Sequence, residues 1–595
     1  MRVRKPLAAF VLIHFMVTGW AQSGRSGAPL TSSTADPKAF VCKGKTVPQL
    51  DDITAKTGIS FRHISDPEKK YIVESMSAGV LLIDYDRDGW LDIYFTNSPT
   101  VDMAVKGQKS RSALYHNNHD GTFTDVTDKA GVAFPCFAFG GAVGDYNNDG
   151  WPDMYITCLG GNVLYRINGD GTFTDVTKQA GVADGRWSTG AAFGDYDNDG
   201  FVDLAVTNYV DFHLDDLPKF GSSPTCTYRG IAVQCGPRGL KGAGDSLFHN
   251  NGDGTFSNVT KQAGVEDARG FYGMGLVWAD FNNTGRPDIY IANDSTPNYL
   301  YKNEGNGKFT EIGLESGTAV NEDGSEQGSM GIAIGDYNHT GRPSMLITNF
   351  ANEYNTLYRN DGDWNFQDAT YKSGLAVPSL PGVKWGTAFA DLDNDGWIDL
   401  LVVAGHVYPQ VDQLPAQGGY REPRSLSMNL GNEKFCDASE QAGPALMEKR
   451  VSRGLAVGDL FNSGNLDVVI NDLDGPPSIL RNRGIPGRHW ITFELAGAKS
   501  NRMAIGAKLK LVAGGMTQTD ELHSGGSYLS QNDMRMHFGL GSATKIDSLE
   551  IRWPSGKVDT IKDLEADKFY SILEGRGVVD PKELKPKTAA AQPWK

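Results

Sequence analysis

The sequence predicts an all-β protein: a seven-bladed β-propeller followed by a small β-sandwich-like domain. Three observations predict it. A nine-residue pattern recurs seven times, a second and longer block recurs six times between its copies, and a strand missing from the last repeat is found near the start of the chain. Composition agrees. The 595 residues are 39% hydrophobic and 22% charged, enough for packed cores. Glycine accounts for 72 of them, about 12% against a usual share of about 7%. The glycines fall at fixed places in the repeats, which excludes a collagen-like or disordered reading of most of the chain. A net charge of −16 argues against a general nucleic-acid binder, which needs a cationic surface, and suits a protein that holds cations.

The nine-residue pattern begins at Asp84, Asp145, Asp195, Asp280, Asp336, Asp391 and Asp459. Each copy follows a Gly-rich apolar strand such as Gly190-Ala-Ala-Phe-Gly194 and precedes an apolar one such as Val202-Asp-Leu-Ala-Val206. The second block, first seen as Leu114-Tyr-His-Asn-Asn-His-Asp-Gly-Thr-Phe-Thr-Asp-Val-Thr127, returns from Leu164, Leu247, Leu300, Leu357 and Leu426. Asn-Gly and Asp-Gly turns within it join two more short strands. Each unit is thus four antiparallel strands, and units of this length repeated along a chain make a ring or an array. The seventh unit has Ile479-Leu-Arg-Asn-Arg-Gly484 but lacks its last strand. Leu50-Asp-Asp-Ile-Thr54 supplies that strand from the front, which closes a ring and leaves few exposed edges. The propeller is expected over 46–484. After it, Trp490–Leu495, Ala507–Val512 and Ser548–Trp553 alternate apolar and polar residues as half-buried strands do, giving a small β domain over 485–574. Residues 22–45 read as a linker and 575–595 as a flexible tail.

The repeated pattern is Asp-x-Asp/Asn-x-Asp-Gly-x-x-Asp. Calcium takes about six to eight hard oxygen ligands at about 2.3–2.6 Å. Positions 1, 3 and 5 of a tight turn point inward together, glycine at 6 allows the bend, the carbonyl at 7 adds an oxygen, and Asp at 9 closes the cage. The first loop offers Asp84, Asp86, Asp88, Trp90 and Asp92. The second offers Asp145, Asn147, Asp149, Trp151 and Asp153, and the third Asp195, Asp197, Asp199, Phe201 and Asp203. The sixth offers Asp391, Asp393, Asp395, Trp397 and Asp399. The fourth is weaker, with Asp280, Asn282, Thr284, Arg286 and Asp288. The fifth closes on Ser344 in place of an acid, and the seventh has Phe461 where a ligand belongs. Four carboxylates in a few ångströms repel unless a cation lies between them. Calcium is therefore expected at the first, second, third and sixth loops, and at the fourth as a fifth site, in a structural role.

The start of the chain reads as an export signal over 1–21: Arg2, Arg4 and Lys5, an apolar run from Leu7 to Val17 too short to span a bilayer, and a cleavage site after Ala21. No later stretch is apolar enough to cross a membrane. Six cysteines suit an oxidising compartment. Cys226 and Cys235 lie nine apart in a Gly/Pro-rich loop, a spacing that fits a local disulfide better than a zinc site. Cys136 and Cys158 flank a hairpin symmetrically, so a bridge between paired strands is possible. Cys42 and Cys436 remain, and only elimination pairs them.

These residues resemble a known family. The units are similar to FG-GAP/VCBS repeats, the calcium-loop propeller repeats of integrin α chains, and Phe139-Gly-Gly-Ala-Val-Gly144 followed by the second Asp loop shows the name-giving pattern. Residues 487–574 resemble the ASPIC/UnbV domain through Ser500–Ala507, Gly526-Ser-Tyr-Leu-Ser-Gln531, Phe538-Gly-Leu-Gly541 and Ile551-Arg-Trp-Pro-Ser-Gly556. The pairing looks like the cartilage acidic protein family and its bacterial relatives. The resemblance implies a secreted calcium-binding protein with adhesive or matrix-contact roles, and it implies no reaction.

The connections between the second and third strands of a blade are long in three units, over 97–112, 209–245 and 405–425, and chain direction places all three on the face away from the Asp loops. They carry Tyr209, Phe212, Tyr228, Arg229, His406, Tyr408, Tyr420 and Arg421, side chains suited to holding an extracellular glycan or protein ligand; the alternative is that these loops pack on each other or on the C-terminal domain. The sequence thus reads as a secreted, non-enzymatic binding module. The alternative is a calcium-dependent polysaccharide hydrolase or lyase, or a scaffold subunit for one, with His63, His406, His523 or His537 as the acid or base. No Gly-x-Ser-x-Gly elbow, His-Glu-x-x-His or phosphate loop supports it.

Overall fold

A computed structural model describes residues 42–214, 226–414 and 418–585. The expected signal peptide, and the expected linker as far as residue 41, lie outside the described residues. Among the described residues strands dominate, and seven four-stranded antiparallel sheets make up the repeats. In the first, Val80–Ile83, Asp92–Phe95, Ala113–Asn117 and Phe123–Asp125 pair in chain order. The next five sheets repeat this plan from Phe137–Gly144, Ser188–Gly194, Gly273–Ala279, Ile332–Gly335 and Lys384–Ala390. The seventh holds Ser452–Gly458, Asp467–Asp472 and Ser478–Asn482, and its outer strand is Leu50–Asp52, in register Leu50 with Asn482 and Asp52 with Leu480. The innermost strand of every sheet contacts that of the next, and the seventh contacts the first, so the sheets stand in a closed ring.

The second sequence block explains how each sheet ends. Asp125 Oδ1 accepts from the amide and the hydroxyl of Thr127, at 3.0 and 2.6 Å, and Thr127 Oγ1 in turn accepts from Leu114 N at 2.9 Å. The Asp-Val-Thr triplet is an Asx turn that starts a one-turn helix, Thr127–Ala130, and pins it to the third strand.

After the ring, two further four-stranded sheets pack face to face. One orders Met536–Gly541, His489–Ala496, Lys568–Leu573 and Gly577–Val579. The other orders Met516–Glu521, Lys508–Ala513, Ser548–Arg552 and Val558–Lys562. Ile491, Phe493, Leu509, Leu511, Leu549, Ile551 and Trp553 form their shared core. The expected tail needs correction here. Gly577–Val579 pairs with Ser571–Leu573, and in the short helix Pro581–Leu584 the Leu584 side chain is buried while its carbonyl accepts from Arg502 and Arg87. Arginine donors and an apolar seat hold this segment as far as 585; the rest of the expected tail lies outside the described residues. The expected linker also ends in a fixed segment, because Cys42 is buried and bonded to Cys436.

The segment 523–532 of this small domain runs into the middle of the ring. Gln531 pairs with the first sheet through Leu82 N and Val80 O, each bond at 3.0 Å. Ser527 exchanges two 2.8 Å bonds with Ile332, and Gly525 bridges to Val277. Tyr528 reaches the far end, where its hydroxyl donates to the Met76 carbonyl at 2.7 Å and its ring packs edge-on against Trp385. Glycine in the inner strands makes room for this: a Cβ on Gly79 would stand 2.1 Å from the Leu529 carbonyl oxygen. The Gly-Ser-Tyr-Leu-Ser-Gln stretch is thus a plug that fills the axis of the ring.

Tyr528→Ala leaves a hole in that axis and an unpartnered Met76 carbonyl. It should cost about 3 kcal/mol, the order of a buried aromatic truncation, read as a lower urea midpoint of unfolding.

Candidate metal centres

Each Asp loop is built the same way. The first Asp accepts from two backbone amides of its own turn: Asp84 from Asp88 N and Gly89 N, each at 3.0 Å. The same pair of bonds recurs at Asp145, Asp195, Asp280, Asp336, Asp391 and Asp459. The closing Asp92 accepts from Tyr85 N and from Asn117 N at the end of the third strand. The fourth position of every loop is left-handed, with φ between 48° and 57°. Asparagine tolerates that conformation best among residues with a side chain, and stands there in five of the loops, with Arg87 and His339 in the others. Its amide is used: Asn148 Nδ2 donates to the Gly200 carbonyl at 2.7 Å, Asn198 to Gly285, Asn283 to Gly341, Asn394 to Gly464, and Asn462 to Gly89. Neighbouring loops are laced together around the ring.

Carboxylate oxygens converge in the first, third and sixth loops. Within 4.8 Å of one another lie ligand atoms of Asp84, Asp86 and Asp88, of Asp195, Asp197 and Asp203, and of Asp391, Asp393 and Asp399. Burial, then mutual repulsion, pushes these acids toward the neutral form. Asp84 and Asp203 rise to about 7, and Asp92 and Asp195 to about 8. Asp391 and Asp399 rise well above the ordinary carboxylate range for the same reasons. Buried oxygens of Asp86 and Asp393 have no hydrogen-bond partner. Residues so arranged fit a hard divalent cation. In the second loop Asn147 ties Asp149 by a 2.9 Å bond, leaving Asp145, Asp149 and Asp153 as the charged donors. The fourth loop has Asp280 and Asp288 with Asn282 and Thr284, and Lys508 of the small domain lies 3.3 Å from Asp280 Oδ2. In the fifth, Ser344 Oγ takes the Asn360 amide that a closing acid takes elsewhere, and in the seventh the Arg481 guanidinium covers Phe461.

Three histidine partners of these loops escaped the sequence reading. His116 Nδ1 stands 3.2 Å from Asp92 Oδ1 and 3.4 Å from Asp86, and His249 Nδ1 stands 3.1 Å from Asp203 Oδ1 and 3.6 Å from Asp197. The hydrogen bond to Asp203 raises His249 to about 9. His119 joins the first loop through Asp88 at 2.6 Å and stacks on Trp90. The signal was present: both His116 and His249 directly precede the asparagine that ends the third strand.

The opposite face departs from expectation. Tyr209 and His406 are fully buried; Tyr209 donates to Asp294 Oδ2 at 2.6 Å and packs on Trp187. Phe212 lies against Trp187, and Tyr228 packs on Phe350, His406 and Tyr408. Tyr420 is half-buried. These rings bury one another because the ring of sheets must be closed at this end too, so they form a core more than a surface. Arg229, over the Tyr228 ring, and Arg421 are exposed. The four candidate acid–base histidines are likewise packed. Burial lowers His63, His406 and His537 to about 3 and His523 to about 4, and each has a fixed partner: Ser77, Tyr408 N, Asn394 and the Trp278 carbonyl. All six cysteines are paired, as Cys42–Cys436, Cys136–Cys158 and Cys226–Cys235.

Comparison with known proteins gives two family matches. The FG-GAP-like repeat matches over residues 84–156, 145–206, 239–291, 280–347 and 345–402, and the ASPIC and UnbV domain over 497–579. Among curated proteins, cartilage acidic protein 1 of Xenopus tropicalis is 26% identical over 53% of this chain and 47% of its own. That of Homo sapiens is 25% identical over 53% and 46%. The chain spans about half the length of the curated relatives it matches. Solved structures to which the chain is similar include an Agrocybe aegerita lectin that recognises non-reducing terminal N-acetylglucosamine (18% identity, 67% of this chain and 86% of that one, TM-score 0.34). They also include BBS1N in complex with ARL6DN (10%, 71% and 97%, 0.38) and YCF48 bound to D1 peptide (7%, 74% and 96%, 0.38). One chain thus carries FG-GAP-like repeats followed by a C-terminal ASPIC/UnbV domain.

Proposed function

We propose that this chain is a secreted calcium-binding module that holds an extracellular glycan or protein ligand and performs no chemistry of its own. The observation that carries the reading is the convergence of buried carboxylates at the first, third and sixth loops, with the Asp86 and Asp393 oxygens left without hydrogen-bond partners. Such donors match the hard-oxygen preference of calcium. Asp145, Asp149 and Asp153 would hold a further ion with Asn147, and Asp280 and Asp288 a weaker one. Calcium bound there neutralises each turn and fixes the hairpin that carries it. Three disulfides and no free cysteine fit an oxidising compartment. Among the described residues no helix is long and apolar enough to cross a membrane. The axis is filled by 523–532, so the ligand contact is assigned to the rim of the opposite face, at Arg229 and Arg421 with the exposed edges of Tyr228, Tyr408 and Tyr420.

Three outcomes are expected. Calorimetric titration should show calcium binding that loses one ion in Asp197→Asn/Asp203→Asn; each site filled at a hundredfold over its Kd adds about 2.7 kcal/mol of stability, and an unchanged ion count in that variant would refute the third site. The pH dependence has a definite sign. Folded Asp84, Asp92, Asp195 and Asp203 sit at about 7 to 8, above their ordinary value of 3.8, so their contribution is fullest below about pH 4 and is lost as pH rises through about 8. In excess EDTA the melting temperature should therefore fall from about pH 5 to about pH 8, and calcium should flatten that fall, as differential scanning calorimetry would read. On a glycan and protein array, Arg229→Ala/Arg421→Ala should lose retention while calcium affinity stays unchanged; retention at the parent level would remove the rim as the ligand site.

A further inference from the structure

In the third strand, the residue before the one whose amide bonds the loop's closing residue is basic in six of the seven sheets: His116, Arg166, His249, Lys302, Arg359 and Arg481. In the sixth it is Met428. The next residue gives its amide to the closing acid there, as in every sheet but the fifth, with Asn429 N to Asp399 Oδ1 at 2.8 Å. The sixth loop therefore has a full acid set and no basic neighbour on its own third strand. A lysine from the other end of the chain stands in its place. Lys45 Nζ lies 3.2 Å from Asp395 Oδ2 and 3.9 Å from both Asp393 Oδ2 and Asp399 Oδ1, and it donates to the Asn429 carbonyl. These are the acids at positions 3, 5 and 9 of the loop, so the ammonium occupies the space on which they converge. The Lys45 side chain is only 15% exposed, and those of Asp393 and Asp399 not at all.

The segment that brings Lys45 there is fastened at both ends. Met428 pairs across the sheet with Cys436, and Cys436 is bonded to Cys42, three residues before Lys45. Cys42 N donates to the Asp437 carbonyl, and Leu50 N to the Ala442 carbonyl at 2.9 Å. The lysine thus arrives beside the position that Met428 leaves without charge. Arg359 turns from its loop to pair with Asp361, whereas Arg481 lies over Phe461, which stands where the seventh loop would place a ligand.

We propose that Lys45 is the resident cation of the sixth loop and competes with divalent ions for it. This rests on the reading of the Asp loops as divalent-cation sites. An ammonium and a divalent ion cannot share one cage, because like charges that close repel strongly. The sixth loop, rich as it is in acids, fills after the first and third, and filling it expels Lys45. The Cys42–Cys436 bond keeps the lysine at high local concentration, so the loop keeps a countercharge without metal.

The test uses the full chain and terbium, whose emission is sensitised by a nearby tryptophan; the sixth-loop signal is the part lost in Trp397→Phe. In the parent this component should saturate at higher terbium than the rest. Lys45→Met should raise sixth-loop affinity at least tenfold, and Cys42→Ser/Cys436→Ser should raise it in the same direction by loosening the tether. Lys45→Arg, which keeps the charge, should leave it near the parent. An unchanged sixth-loop affinity in Lys45→Met, with the other loops binding normally, would overturn this inference alone. No terbium or calcium uptake by parent and variant alike would overturn the cation reading of the loops and this inference with it.

Discussion

Everything in this ring is arranged around buried negative charge. An aspartate at the end of each inner strand accepts the amides of its own turn, and this bond pattern shapes seven turns alike. A carboxylate so placed is out of water, and where three or four meet, burial and repulsion together favour the uncharged form. The fold answers with positive charge from several sources. Histidine does it in the first and third sheets, the small domain's Lys508 at the fourth, and Lys45 at the sixth. The acidic loops are thus not independent decorations on a scaffold; they set which basic residues must come near, and from where.

That demand binds the two parts of the molecule together. The small domain stands on the loop face: Arg502 N bonds Asn148, Lys508 bonds Asn283, His537 bonds Asn394, and Arg535 bonds Asn462. All four contacts fall on the left-handed fourth position of a loop. The same domain sends Ser524, Ser527, Tyr528 and Gln531 down the axis, where they pair with inner strands of several sheets. A ring of sheets whose inner strands are rich in glycine leaves an open axis, and the buried plug supplies the side chains those strands lack.

Much of this was legible in the sequence, because it is local and repeated. Asp at position 1 and Gly at 6, with Asp at 9 in all but the fifth, specify a turn whatever surrounds it, and seven copies specify a ring. The displaced strand at Leu50–Asp52 was readable since its absence from the seventh unit was visible. What stayed hidden depends on residues far apart in the chain. Lys45 lies hundreds of positions from Asp399, and Gly526–Gln531 shows no strand alternation that would mark it as a plug. Tyr209 and His406 looked like a binding surface because aromatic residues on long loops serve either purpose, and only the convergence of three loops decides for burial. The tail was misread for a similar reason: three residues of strand and one helical turn carry too little pattern to stand out from a polar end.

The bond between Cys42 and Cys436 has a consequence for the molecule's integrity. It joins points 394 residues apart, one before the closing strand and one in the sixth sheet. Most of the ring is therefore a covalent hoop. A protease that nicks any exposed turn inside the hoop leaves both fragments attached, and they part only after a reductant is added.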